Sequence, residues 1–367
     1  MQYKELTYFF KYTDSKCIAY SVDNITYKFQ VIPKYFGKLI KFLRERYDCQ
    51  EGETDTRRYH YHYFFVIQYG KSSMRIEFSL NGVDKCRGKI IVNPNKCFDK
   101  SGCIEDLIKI RVLCNMFEMQ MLDIALDISE EKSNVHMMNN AYRRVSYYCG
   151  TKRECKLSKE QKQAMKKLYD DNSNFITEYF GTKGHKTFNG FCKLYNKTFE
   201  CGLDYTVTRF EITMKTCGKK CNSIKKIIDN LYSSMPKLFI THETDLSIYT
   251  NDKWVQKHIH TLEALSRFNN PFWAVQDMKM EHKNQKYSAY NQQKLLSYLN
   301  LEYISPERDV LENLLNECFA TTEYIISYNL DDLTDILPQY FFTEDDVIAS
   351  NEPFISPNSS YRQPLQI

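Results

Sequence analysis

The chain contains no run of 18 or more apolar residues, so no membrane-spanning helix is expected. Its opening residues, MQYKELTYFFKYTD, lack both a continuous apolar stretch and a small-residue cleavage site, so no secretory leader is expected either. There is no P-loop, no glycine fingerprint for a dinucleotide and no Gly-x-Ser-x-Gly elbow. Nothing therefore supports the enzyme classes built on those motifs. No period of 20–50 residues marks a solenoid. Neither charge sign dominates: 50 basic and 46 acidic side chains leave a formal net charge of +4. That balance is too even to identify a nucleic-acid binder by itself.

Tryptophan is nearly missing, at 2 residues, but tyrosine (28) and phenylalanine (23) are plentiful. With 43% hydrophobic residues in 367, the chain can bury a substantial core as one or two domains. Thirteen cysteines without a leader are expected to be reduced thiols in a cytoplasmic protein. Cys217 and Cys221 have half the spacing of a zinc site, but no second pair completes it. Charge is uneven along the chain. Residues 143–226 are rich in Lys and Arg, and the tail after Tyr324 is acidic.

Hydrophobic periodicity predicts strands over SKCIAYSV and ITYKFQVI, a helix over YFGKLIKFLRERY, and a hairpin of YHYHYFFVIQY and SMRIEFSLNG turning at Gly70-Lys71-Ser72-Ser73. GKIIVNP reads as a strand, EDLIKIRVLCNMFEMQ as a helix, and MLDIALDISE as a strand carrying two carboxylates. Residues 129–175 read as an insertion. FITEYFGTK, FNGFCKLYNKTFE and YTVTRFEITMK then form a meander, and apolar spacings of three and four predict helices from residue 222 onward. The expected fold is α+β, with antiparallel sheets built from two strand-rich halves, packed helices and a helical C-terminal region. The expected organisation is a domain over 1–220, a helical domain over 221–340 and a polar, disordered tail over 341–367.

Alternate residues of a strand share a face. Asp123 and Asp127 share one in LDIALDI, Arg209 and Glu211 in TRFEITMK, and Lys193, Tyr195 and Lys197 in KLYNKTFE, with Glu200 at that strand's end. Hard carboxylate oxygens suit Mg²⁺ or Mn²⁺, a tyrosine hydroxyl can attack phosphorus, and Lys and Arg can hold flanking phosphates. The same residues would also make an ordinary sheet face laced with salt bridges.

The order of the motifs distinguishes these readings. LDIALDI, Tyr179-Phe-Gly-Thr-Lys183, KLYNKTFE and TRFEITMK together resemble a series shared by replication initiators of rolling-circle plasmids, related relaxases of integrative elements and filamentous-phage gene II replication proteins. The resemblance covers roughly residues 60–215. It implies a metal-dependent, site-specific DNA nickase and strand transferase in a bacterial host's cytoplasm, acting through a 5′-phosphotyrosine intermediate. It further implies Tyr195 as nucleophile; Asp123, Asp127, Glu200 and Glu211 as the pool of ligands for Mg²⁺ or Mn²⁺; and Lys183, Lys193, Lys197 and Arg209 on DNA. Partners would be single-stranded or supercoiled origin DNA and a host helicase and polymerase, with a homodimer as a further option. Lys193 stands where arginine is common in that series, and the insertion is long.

A second constellation competes for the chemistry. His60 and His62 in YHYHYFF have the spacing of a metal-binding pair on a strand, and Tyr287 or Tyr290 with Lys294 could supply the nucleophile. His258-Ile-His260 repeats the pattern within a helical segment, where it cannot serve in that way. A different class of function also fits: a non-catalytic origin-binding initiator or a repressor of a plasmid or phage, with DNA contacts in the helical region.

Overall fold

A computed structural model describes most of residues 9–328. The main stretches outside the description are 55–59, 80–85, 139–144, 154–176, 181–189, 217–222, 246–250 and 258–296, together with 1–8 and 329–367.

One large antiparallel sheet dominates. Its strands are β1 (Phe9–Tyr12), β2 (Cys17–Val31), β3 (Cys49–Glu53), β4 (Tyr63–Tyr69), β5 (Ser72–Phe78), β6 (Arg87–Val92), β7 (Cys114–Ile128), β9 (Val145–Cys149), β10 (Lys152–Arg153), β11 (Thr177–Phe180), β12 (Gly190–Asn196) and β13 (Thr208–Lys215). Their spatial order is β10-β9-β11-β12-β13-β7-β2-β6-β5-β4-β3, and β1 pairs with β2. Strands β8 (Val135–Met138), β14 (Lys237–Thr241) and β15 (Leu301–Ile304) form a separate small sheet in the order β15-β14-β8. The α-helices are α1 (Phe36–Glu45), α2 (Lys100–Val112), α3 (Lys197–Cys201), α4 (Ile224–Ser234), α5 (Lys253–Lys257) and α6 (Arg308–Ser327).

The large sheet has two halves with one plan. In each, a 15-residue strand is followed by a meander whose last strand returns to pair beside it. The N-terminal half runs β2-β6-β5-β4-β3, and the C-terminal half runs β7-β13-β12-β11-β9. The long strands β2 and β7 pair with each other and join the halves. Helix α2 follows the first meander and α4 the second, and α6 packs on both helices as well as on β2 and β7.

Alternation places Tyr20, Tyr27, Phe29, Ile124, Leu126, Phe210 and Ile212 on the helix-covered face, all 0–1% exposed. Each such side chain contributes roughly 1.5–3 kcal/mol through removal from water. The buried Tyr20 hydroxyl accepts the Glu307 N–H at 3.1 Å, fixing the start of α6 against β2. The hairpin β4–β5 pairs Tyr69 with Ser72 across Gly70-Lys71, where Gly70 takes φ 75°, a conformation glycine adopts without strain.

The α+β class and the two strand-rich halves agree with the sequence pattern, and local boundaries differ from it. SKCIAYSV and ITYKFQVI are one strand, interrupted by a bulge at Asp23. The helix predicted over EDLIKIRVLCNMFEMQ stops at Val112, and Cys114 onward pairs with β2. Phe117 lies four residues from Leu113, a helical spacing, and two from Met119, an alternating one, and pairing with β2 decides between them. The predicted strand KLYNKTFE ends at Asn196, whose side chain accepts the Phe199 N–H and starts α3. The region after residue 221 is not wholly helical, because β14 and β15 lie within it. Its helices α4 and α6 share the core of the large sheet. Residues 154–176 of the expected insertion and the tail over 341–367 lie outside the described residues.

Candidate functional site

The face of the C-terminal half turned away from the helices gathers the polar residues singled out in the sequence. Three rows cross the strands. Tyr179, Lys193, Glu211, Ala125 and Ser21 lie opposite one another in the first. Tyr195, Arg209, Asp127 and Ala19 form the second, and Phe191, Thr213, Asp123 and Asn24 the third.

Arg209 sits at the centre. Its Nε and Nη2 donate to the two oxygens of Asp127 at 2.6 and 2.7 Å, a two-pronged match of guanidinium and carboxylate. Its Nη1 donates to Asp23 at 3.0 Å. Asp23 is the extra residue of the β2 bulge, which aims its carboxylate onto this face. Asn93 also donates to Asp23, at 3.3 Å. Asp23 is a member of the site that sequence reasoning missed. The signal was present: Asp-Asn breaks the apolar alternation between the two runs that read as separate strands.

Glu211, 3% exposed, receives hydrogen bonds from Lys193 and, at 3.3 Å, from the hydroxyl of Tyr195. Burial raises the Glu211 pKa, Lys193 opposes that, and the charges of Asp123 and Asp23 add to it. Burial would discharge Lys193, but Glu211 outweighs it and keeps the ammonium charged. Burial and then Glu211 push the Tyr195 phenol far above the ordinary tyrosine range, so it is protonated at rest.

Asp123 is less well satisfied. Its Oδ2 accepts a long 3.4 Å hydrogen bond from Asn24, and its buried Oδ1 has no hydrogen-bond partner among the described residues. The buried Ser21 hydroxyl, one position along the same floor, has none either. Glu200 lies apart on α3, paired with Lys197, with its side chain 53% exposed. Lys197 Nζ lies 5.7 Å from the centre of the Tyr195 ring.

The structure thus brings together Asp123, Asp127, Glu211, Lys193, Tyr195 and Arg209, sets Lys197 beside them and leaves Glu200 at the margin. Four carboxylates (Asp23, Asp123, Asp127, Glu211) face two cations (Arg209, Lys193), and the Lys197–Glu200 pair is self-compensated. A divalent cation would balance that excess. Asp123 Oδ1 and its carboxylate neighbours supply hard oxygen donors of the right kind. Among the described residues, however, no three His, Cys, Asp or Glu side chains stand close enough to hold a metal by themselves.

Of the competing constellation, His60 lies exposed before β4, its ring against Tyr61 with centroids 4.7 Å apart. His62, Tyr287, Tyr290, Lys294 and Lys183 lie outside the described residues, as do Cys217, Cys221, His258 and His260. No described helix is long and apolar enough to cross a membrane.

No protein-family model matches the chain, and no curated protein does. Among solved structures, the chain is similar to a rolling circle replication initiator protein from Geobacillus stearothermophilus at 13% identity and a TM-score of 0.33, covering 64% of this chain and 89% of that one.

Proposed function

We propose that this face is a DNA nicking and strand-transfer site that initiates rolling-circle replication. The observation that carries the reading is the Tyr195 hydroxyl donating to Glu211 on a buried face with surplus negative charge and an unsatisfied Asp123 oxygen. A protonated phenol needs a base before it can attack, and Glu211 is in contact with it. Tyr195 Oη bonds to phosphorus as its proton passes to Glu211. The bond from phosphorus to the 3′ oxygen breaks, that oxygen takes a proton from solvent, and the 5′-phosphate stays on the tyrosine.

A bound Mg²⁺ or Mn²⁺ would polarise the phosphodiester and stabilise the charge that develops on it. Asp123, whose Oδ1 has no hydrogen-bond partner among the described residues, would hold the ion, and substrate phosphate oxygens and water would fill the remaining positions. Magnesium usually binds through one or two carboxylates in this way rather than in an all-protein cage. Asp127 is committed to Arg209 and positions it. Lys193 and Lys197 lie beside the tyrosine to receive flanking phosphates.

A second reading is favoured by the ion pairs Asp127–Arg209, Glu211–Lys193 and Glu200–Lys197. In that reading the face is structural, and the chain binds an origin as an initiator or repressor without cutting it. The experiment that decides uses single-stranded oligonucleotides tiled across the DNA flanking the gene, incubated with Mn²⁺ with and without chelator. The nicking reading predicts a chelator-sensitive cut and a covalent protein adduct. Binding without any cut would establish the second reading instead.

A further inference from the structure

The segment joining β12 to β13 opens directly after Asn196, the residue following Tyr195, and displays exposed aromatic side chains. Among the described residues four large hydrophobic side chains stand exposed: Phe199 at 67%, Tyr205 at 61%, Tyr303 and Tyr324. Two of the four belong to this single connection, which begins at the end of Tyr195's own strand. Scattered exposed aromatics need no explanation, but two on one short connection beside a candidate active site do.

The connection is also held firmly. Asn196 caps α3 by accepting the Phe199 N–H at 2.8 Å, and Gly202 ends it in the left-handed conformation at φ 60°. The Lys197 N–H reaches the Val207 carbonyl at 3.0 Å, and the Leu203 N–H reaches the Thr198 carbonyl at 2.9 Å. The Thr198 hydroxyl accepts the Val207 N–H at 2.7 Å and donates to the Tyr205 carbonyl at 2.9 Å. This fixed backbone keeps both rings out in solvent, so little conformational entropy remains to be lost when something stacks on them.

We propose that Phe199 and Tyr205 form a stacking platform for unpaired bases of single-stranded DNA next to the scissile phosphate. The proposal rests on the nicking reading. The backbone of the strand would run past Lys197 and Tyr195, and its bases would turn outward onto the two rings. Stacking is tolerant of base identity, so the platform supplies affinity and register rather than sequence choice.

The test measures binding of the full chain, by fluorescence anisotropy at one fixed salt concentration, to an oligothymidine of roughly 20 nucleotides and to an abasic backbone of the same length. Wild type is expected to prefer the oligothymidine, and Phe199→Ala with Tyr205→Ala to lose that preference by weakening only the base-containing ligand, roughly 5- to 100-fold. Phe199→Trp with Tyr205→Trp should retain it. An unchanged thermal unfolding midpoint shows that the double alanine variant is folded. If that variant keeps the preference while wild type nicks DNA, the platform is wrong and the nicking reading stands. If wild type binds neither ligand, both are wrong.

Discussion

The two halves of the large sheet share a plan but use their open faces differently. On the N-terminal half, Glu77 lies between Arg75 at 2.7 Å and Lys89 at 2.6 Å, with those cations 34% and 32% exposed. Arg75 also covers the Phe64 ring at 3.9 Å. One carboxylate there meets two cations, in reach of water. On the C-terminal half, the equivalent strands β12 and β13 carry Lys193, Tyr195, Arg209 and Glu211. Glu211 and Arg209 are 3% and 7% exposed, and carboxylates outnumber cations. In the first arrangement the one carboxylate is fully paired, and the spare positive charge is in reach of water. The second holds an uncompensated excess, which is expensive to bury without a ligand to balance it. The same topology therefore carries a solvated ion-pair face in one half and, in the other, a mostly buried face with surplus carboxylate, which the proposed function would fill with a cation and a phosphate.

Substitutions on equivalent strands can break that contrast. The largest effect is expected at Tyr195→Phe, which should abolish the covalent adduct, and at Glu211→Gln, which should slow nicking by about 10²–10⁴-fold in a single-turnover assay. Equal nicking in either variant would assign the C-terminal face the same structural role as its N-terminal counterpart. Next comes Arg209→Met, which removes a buried guanidinium, leaves the partly buried Asp127 and Asp23 without their cation and should cost about 3–5 kcal/mol in urea unfolding.

A comparable loss is expected on the helix side of the same half. Glu178 is fully buried, accepts from Lys132 at 2.7 Å and from the Met137 N–H at 3.1 Å, and lies 3.4 Å from His136. It ties β11 to β8 of the small sheet. Burial opposes its charge, but Lys132 and His136 prevail and bring its pKa down from 4.5 to about 2. Its ionised form therefore stabilises the fold above about pH 4.5, and that contribution drains away as pH falls toward 2. Glu178→Gln should cost about 3–5 kcal/mol at neutral pH and flatten this acid limb, as read from unfolding across a pH series. The smallest effect belongs to Glu77→Gln on the N-terminal half: about 0–1 kcal/mol, with nicking unchanged.

Much of this contrast was legible in the sequence. Asp123, Asp127, Arg209, Glu211, Lys193 and Tyr195 could be assigned to one face because they sit at even spacings in apolar strands, where a charge needs a reason to be. Their shared surface followed from the meander of β11, β12 and β13. Asp23 left a break in the apolar alternation that reads as a gap between strands, and only pairing with β7 turns that gap into a bulge and Asp23 into a site residue. Spacing alone extends the β12 face to Glu200, but Asn196 caps a helix there and carries it to the margin. β14 and β15 were hidden because short apolar runs fit helix and strand alike. The doubled plan of the sheet left no sequence repeat to find, since it lies in the order of strand pairing.

The most direct test of the account is to map the covalent adduct. After reaction with a cleavable single-stranded oligonucleotide, the protein is digested with nuclease and trypsin and its phosphorylated tyrosine is located by mass spectrometry among the 28 present. The account predicts the modification on Tyr195, in the peptide Leu194–Lys197. A phosphonucleotide on any other tyrosine, Tyr287 and Tyr290 included, would contradict it and move the chemistry away from this face.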